Sequence, residues 1–242
     1  MSDPSLLDDL VAANRILADH GVLDAYGHIS ARDPARPDRY WLSRSMPPAL
    51  VTAADLLAFD LDNNPVEGGN HKLFFERIIH GEIYQARADV MAVLHNHSPS
   101  LIPFCNSDTR LRPMVGNAAF LGEGAPVFDI RSIDDGGDLN VCTVAQARGL
   151  AHALVQHALV LLRGHGAVAV GDSVRQCVRR HHCRNQRAPA DCGDATRARA
   201  FPHAERNRIC PARPAQGPRP RLAALEAKSD ARGRLIPRKQ IK

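Results

Sequence analysis

The sequence predicts an α/β fold, in which helices flank a central β-sheet. Two observations support this prediction. Segments with apolar residues at helical spacing share the chain with short apolar runs of strand length. The chain has 242 residues, which is enough for one domain with a full hydrophobic core.

The predicted helices follow cap residues and carry apolar side chains at helical spacing. The first begins at Asp3-Pro4-Ser5 and ends before Gly21. The helix over residues 74–86 has one apolar face and leads into an apolar run. The other helices are predicted to begin at about residues 52, 98, 143 and 174.

The predicted strands are short apolar runs bounded by turn residues. Residues 90–97, Val-Met-Ala-Val-Leu-His-Asn-His, are typical of a buried strand. Two further strands flank the sequence Gly164-His165-Gly166. In chain order, strands are predicted over residues 26–32, 40–42, 59–62, 90–97, 125–130, 158–162 and 167–170.

Three histidines at the ends of these strands point to a metal site. His95 and His97 are two residues apart, and side chains at that spacing project from one face of a strand. Glycine on both sides of His165 permits close backbone approach. Neutral imidazole is the commonest ligand for zinc and similar metals. A lone histidine at a strand end is more often hydrogen-bonded than metal-bound, so the prediction depends on the three together.

Glu76, the pair His95 and His97, and the glycine-flanked His165 resemble the class II aldolase/adducin family in order and spacing. The resemblance runs from about residue 6 to about residue 178. It implies an α/β/α sandwich with a mainly antiparallel central sheet, and a homotetramer. It also implies that the three histidines hold a divalent metal and that Glu76 transfers protons. Zinc is favoured, with manganese, cobalt or iron as alternatives. His80, one helical turn after Glu76, is interpreted as structural.

The expected substrate site departs from the phosphosugar aldolases of that family. Those enzymes hold phosphate with a Gly-Asn-x-Ser turn and a Ser-Gly loop, where this chain has residues 27–30, Gly-His-Ile-Ser, and 43–45, Ser-Arg-Ser. The change is similar to the branch that decarboxylates hydroxylated aromatic or pyridine dicarboxylates. Arg44 could clasp a carboxylate through two hydrogen bonds, and the alternative is an exposed loop arginine. The predicted substrate-binding residues are His28, Ser30, Ser43, Arg44 and Ser45.

These features favour a metal-dependent carbon–carbon lyase that decarboxylates a hydroxylated aromatic or related carboxylic acid. Family aldolases take a catalytic tyrosine from their carboxyl-terminal segment, and this chain has none after Tyr84. The alternative is an aldolase that uses Glu76 as a base on a small, unphosphorylated hydroxy-keto compound. A second alternative is a non-catalytic scaffold similar to the adducins, which would not need the histidines and the glutamate.

Charge divides the chain. Residues 1–178 contain 14 basic and 21 acidic residues, a net charge of −7, whereas residues 179–242 contain 17 and 5, a net charge of +12. The second segment is rich in Arg, Pro and Ala and lacks the family pattern. We therefore predict a catalytic domain over 1–178 and a poorly ordered tail over 179–242.

The sequence also excludes several classes of partner. No nucleic acid is expected, because the tail's arginines lack interleaved aromatic residues and a recognised fold motif. No apolar run approaches the roughly 18 residues that cross a bilayer, and no signal pattern begins the chain. We expect a cytoplasmic protein, without a membrane partner, that binds a small carboxylic acid.

Overall fold

The computed structural model describes residues 4–134 and 138–180, which lie in one compact unit of the chain. Its strands are β1 (His28–Arg32), β2 (Arg39–Ser43), β3 (Leu56–Asp60), β4 (Ala92–Asn96), β5 (Val127–Phe128), β6 (Leu159–Leu162) and β7 (Gly166–Gly171). Its helices are α1 (Pro4–Asp19), α2 (Ile78–Ala86), α3 (Ile102–Asn106), α4 (Val144–Leu154) and α5 (Val174–Arg179). Short 3-10 turns cover Pro48–Leu50, Ala53–Asp55, Phe75–Arg77, Gly116–Leu121 and Ile130–Ser132.

The strands form one seven-stranded sheet in the order β3-β2-β1-β4-β7-β6-β5. Neighbouring strands are antiparallel, except that β5 is parallel to β6. At the centre, β4 pairs with β1 on one side and with β7 on the other. The predicted, mainly antiparallel sheet is therefore confirmed.

Successive side chains of each strand contribute to two buried clusters, one on each face of the sheet. In β4, Leu94 belongs to the cluster that contains Leu10 of α1, together with residues of α3 and α5. The preceding residue, Val93, belongs to the cluster that contains Ile83 of α2 and Leu150 of α4. Helices cover both faces, as in the predicted α/β/α sandwich.

The first strand starts two residues later than the predicted range of 26–32. The Asp24 carboxylate accepts hydrogen bonds from the backbone N–H groups of Tyr26 at 2.9 Å and Gly27 at 2.7 Å. These bonds hold the segment in a turn until His28, because a side-chain acceptor competes with the sheet for backbone donors.

The predicted helix at Thr52 is a single 3-10 turn. The Asp55 carboxylate accepts hydrogen bonds from the Thr52 amide at 3.0 Å and from its hydroxyl at 2.7 Å, which closes a capping box. Strand β3 then begins at Leu56, three residues before the predicted start at Phe59.

The predicted tail lies outside the described residues apart from Arg179 and Arg180, so the division at residue 178 stays a prediction. Within the described ranges, no helix combines the length and the apolar character that a bilayer crossing requires.

Candidate metal centre

Glu76, His95, His97 and His165 come from three separate segments that the sheet brings to one place. His95 is in β4, and His97 follows the end of that strand. His165 lies in the turn between β6 and β7, and β7 pairs with β4. Glu76 lies in the 3-10 turn that leads into α2, on the sheet face to which His95 points.

The four side chains converge on one point. The Nε2 atom of His97 lies 3.1 Å from Nε2 of His95 and 3.0 Å from Nε2 of His165. Oε2 of Glu76 lies 3.3 Å from Nε2 of His95 and 3.7 Å from Nε2 of His165. Imidazole nitrogens bound to one tetrahedral zinc ion lie about 3.3 Å apart, from bond lengths of about 2.0–2.1 Å. The donor set therefore fits a divalent metal.

Acceptors outside this cluster orient two of the three imidazoles. The Nδ1 atom of His95 lies 3.2 Å from the carbonyl oxygen of Ala167. The Nδ1 atom of His97 lies 3.1 Å from both carboxylate oxygens of Asp24. When Nδ1 donates to such an acceptor, Nε2 carries the lone pair that a metal requires.

Asp24 contacts His97 although 73 positions separate the two residues, so no local sequence pattern indicates the contact. We expect Asp24→Asn to weaken metal binding by about tenfold or more, since outer carboxylates of this kind contribute about 10–100-fold in affinity. Asparagine keeps an acceptor for the turn at Tyr26 and Gly27 but removes the charge that faces His97. Chelator competition would measure the affinity, with Asp38→Asn as an exposed control. Equal affinity in both variants would contradict the assigned role.

The electrostatics of the cluster suit a metal site. Burial alone would raise the pKa of Glu76, but His95, His165 and the Val141 amide together lower it to about 2. Oε1 of Glu76 accepts the Val141 N–H at 2.9 Å. Burial lowers the pKa of His165 to about 4 and the pKa of His97 below its usual value. At neutral pH the carboxylate is therefore ionised and these two imidazoles are neutral.

A chain of buried hydrogen bonds runs beside the metal centre. Nδ1 of His28 lies 2.7 Å from Nε2 of His80, and Nδ1 of His80 lies 2.6 Å from Oγ of Ser30. Oγ of Ser30 is also 2.7 Å from the hydroxyl of Tyr84. We call these four residues the His28–Tyr84 relay. His80 is thus a bonded core residue, in line with its structural interpretation.

Acidification should destabilise the fold through His80. Burial lowers the pKa of His80 to about 3, whereas an unfolded histidine has a pKa of about 6.5. Between these values the unfolded chain binds a proton that the folded chain does not, so stability falls as the pH falls through this window. From pH 6.5 to 5 the loss should be about 2 kcal/mol for this residue. Urea unfolding of wild type and His80→Asn at both pH values would show a smaller loss in the variant.

A cavity of about 490 Å³ opens beside the metal centre. Glu76, His97 and His165 form part of its wall. The remaining polar lining consists of His28, Ser45, Lys72 and Asn140, and the apolar lining consists of Tyr26, Leu73, Phe74 and Phe75. The cavity can therefore hold a small molecule that has both a planar apolar part and polar groups.

The predicted substrate-binding residues separate into two groups. His28 and Ser45 line the cavity. Ser30 and Ser43 are buried, and neither belongs to the described lining. Arg44 also lies outside this lining, and its Nε donates to Asp55 at 2.8 Å. The role of Arg44 in substrate binding therefore stays a prediction, and Asp55 is the partner that this structure gives its Nε.

Residues 8–188 match the family model described as the Class II Aldolase and Adducin N-terminal domain. The chain belongs to the class II aldolase and adducin family. The match ends ten residues beyond the boundary predicted at 178.

Several relatives of this class II aldolase family member are named as decarboxylases. Decarboxylase tropJ of Talaromyces stipitatus is 36% identical over 183 residues, which cover 70% of this chain and 69% of the relative. The 3,4-dihydroxyphthalate decarboxylase of Arthrobacter keyseri is 32% identical over 184 residues, 70% of each chain. Decarboxylase NovR of Streptomyces niveus is 33% identical over 155 residues, 61% of this chain and about half (53%) of the relative.

Solved structures agree with the class II aldolase fold. An aldolase II superfamily protein from Pseudomonas syringae superposes with a TM-score of 0.66 at 21% identity, over 80% of this chain and 86% of that one. L-fuculose 1-phosphate aldolase from Glaciozyma antarctica superposes with a TM-score of 0.61 at 23% identity, over 79% and 78%. At these identities the likeness establishes the fold alone.

Proposed function

We propose that this protein is a metal-dependent lyase that decarboxylates a hydroxylated aromatic carboxylic acid. One observation carries the proposal: three imidazole Nε2 atoms and one buried carboxylate converge at a cavity lined by aromatic side chains. The relatives named as decarboxylases support the same reaction type. The homotetramer and the cytoplasmic location stay predictions.

His95, His97 and His165 would hold the divalent ion through Nε2. When bound, such an ion would act as a Lewis acid and stabilise negative charge on substrate oxygens. Zinc is favoured for three neutral imidazoles, and manganese, cobalt or iron would also suit them. As acceptors for Nδ1, Asp24 and the Ala167 carbonyl would keep two of the rings in the tautomer that a metal requires.

Glu76 would transfer the proton in the proposed reaction. Its pKa of about 2 means that it enters the reaction ionised and must first accept a proton. We infer that it takes the proton of the substrate hydroxyl and returns it to the ring carbon from which carbon dioxide departs. The Val141 amide holds Oε1, which leaves Oε2 to carry that proton. Glu76 is thus ionised again at the end of the cycle.

The cavity lining supports an aromatic acid as the substrate. Phe74 and Tyr26 offer flat apolar surfaces for a ring. Lys72 lines the same cavity and would offer a cation to the substrate carboxylate. His28 and Ser45 add polar contacts. A sugar phosphate would find fewer partners, because Lys72 is the single Lys or Arg side chain in the described lining.

The test is a substrate screen on the purified, metal-loaded full chain. Hydroxyaryl carboxylates and small hydroxy-keto acids would be compared, with carbon dioxide and aldehyde measured separately. We expect carbon dioxide from a hydroxyaryl carboxylate, and none from the metal-stripped protein. Aldehyde release from a hydroxy-keto acid, without carbon dioxide, would replace the proposal with the aldolase alternative.

A further inference from the structure

The His28–Tyr84 relay begins at the cavity and ends in the protein core. His28 is the member that lines the cavity, and all four residues are at most 1% exposed. Each link is 2.6–2.7 Å long, so every neighbouring pair of atoms shares one hydrogen. The chain therefore has only two possible directions of donation.

The buried end selects one direction. If His28 donated inward, the last hydrogen would lie on Tyr84, and its hydroxyl has no acceptor other than Ser30 among the hydrogen bonds of the described residues. A buried donor without a partner costs about 1–3 kcal/mol. In the opposite direction Tyr84 donates to Ser30, Ser30 donates to Nδ1 of His80, and Nε2 of His80 donates to Nδ1 of His28. Every side-chain hydrogen of the three inner residues, Tyr84, Ser30 and His80, then has an acceptor.

This direction leaves the proton of His28 on Nε2, the ring nitrogen that the relay does not occupy. His28 stands opposite His95 in the pairing of β1 with β4, and their ring centroids are 5.3 Å apart. The ring of Phe74 lies 4.5 Å from that of His28. The His28 ring therefore lies between the metal ligands and the aromatic wall of the cavity.

We propose that the His28–Tyr84 relay locks His28 as the Nε2–H tautomer, so that it donates a hydrogen bond to an anionic oxygen of the substrate beside the metal centre. The inference rests on the proposed function and narrows the substrate to an ortho-hydroxyaryl carboxylate. Such a compound has a hydroxyl oxygen and a carboxylate oxygen next to each other, so one can face the metal centre while the other accepts a hydrogen bond from His28. His80, Ser30 and Tyr84 are positioning residues, since they act through His28.

The tautomer can be measured without turnover. Long-range ¹H–¹⁵N spectra of the zinc-loaded full chain, labelled at histidine, distinguish a protonated ring nitrogen from a bare one, and His28→Gln assigns the signal. We expect a protonated Nε2 and a bare Nδ1 in the wild type. The reverse pattern would overturn the inference, whether or not the protein is a decarboxylase.

Binding of 2-hydroxybenzoate, measured by calorimetry, tests the consequence of the lock. Tyr84→Phe removes the first donor of the relay, and the weakened lock should reduce affinity by about fivefold, the equivalent of one hydrogen bond. Tyr40→Phe is the matched control: Tyr40 is also fully buried, but its hydroxyl donates to Asn63 at 2.9 Å. The control should change affinity by less than about twofold, and zinc content should match in both.

Ser30→Ala provides a second break in the relay if Tyr84→Phe does not fold. Equal affinities in wild type, Tyr84→Phe and Ser30→Ala would overturn the positioning role. A wild type that binds 2-hydroxybenzoate with the Nε2–H tautomer but releases no carbon dioxide from any hydroxyaryl carboxylate would instead overturn the proposed function alone.

Discussion

Glu76→Gln is expected to retain stoichiometric metal and to lower turnover by about a hundredfold or more. Glutamine keeps the size of the side chain and an oxygen that can accept the Val141 N–H. Glutamine cannot take up a proton, so it cannot carry the proton from the substrate hydroxyl to the ring carbon. Metal analysis and steady-state assays on the same preparation would measure both quantities.

Glu82→Gln is the matched control for that variant. Glu82 lies on α2, is also buried, and pairs with Arg148 at 3.1 Å, outside the described cavity lining. Its replacement should change stability more than turnover. Near-normal turnover in Glu76→Gln would show that Glu76 has a structural role, and another group would have to transfer the proton.

His97→Ala is expected to lower metal affinity by about a hundredfold or more and to abolish turnover. Structural zinc sites with four ligands bind with roughly 10–16 kcal/mol, or about 3 kcal/mol for each ligand. The Nε2 atom of His97 lies within 3.1 Å of Nε2 in both other histidines, so its loss removes a central donor. Removal of metal from the wild type with a chelator should give the same loss of activity.

His152→Ala is a suitable control, because His152 is exposed on α4. It should keep metal and activity. If His97→Ala instead kept full metal content, the ion would have to be held elsewhere, and the assignment of the centre would fail.

Local sequence patterns were sufficient to predict most of the sheet and the three histidines that converge in it. Because side chains two residues apart in a strand point to the same face, His95 and His97 are predicted to lie together. The glycines on both sides of His165 indicate a third candidate ligand. What the patterns could not supply is the pairing of β4 with β7, which brings these segments into contact. That pairing depends on the packing of the whole core.

Residues in loops were harder to predict, because their roles depend on partners distant in sequence. Asp24 meets His97 only after folding, and Lys72 and Asn140 reach the cavity from segments without a regular period. Arg44 depends on a partner in the same way: its Nε donates to Asp55, eleven residues later, and its role as a substrate clasp stays a prediction.

The antiparallel pairing of β4 with β7 makes metal binding depend on correct strand register. A slip of one residue in this register would turn His95 to the opposite face of the sheet, away from Glu76 and His165. Such a misfolded chain could keep its helices and strands and still lack the donor set. Metal occupancy per chain would then report strand register, which circular dichroism does not detect.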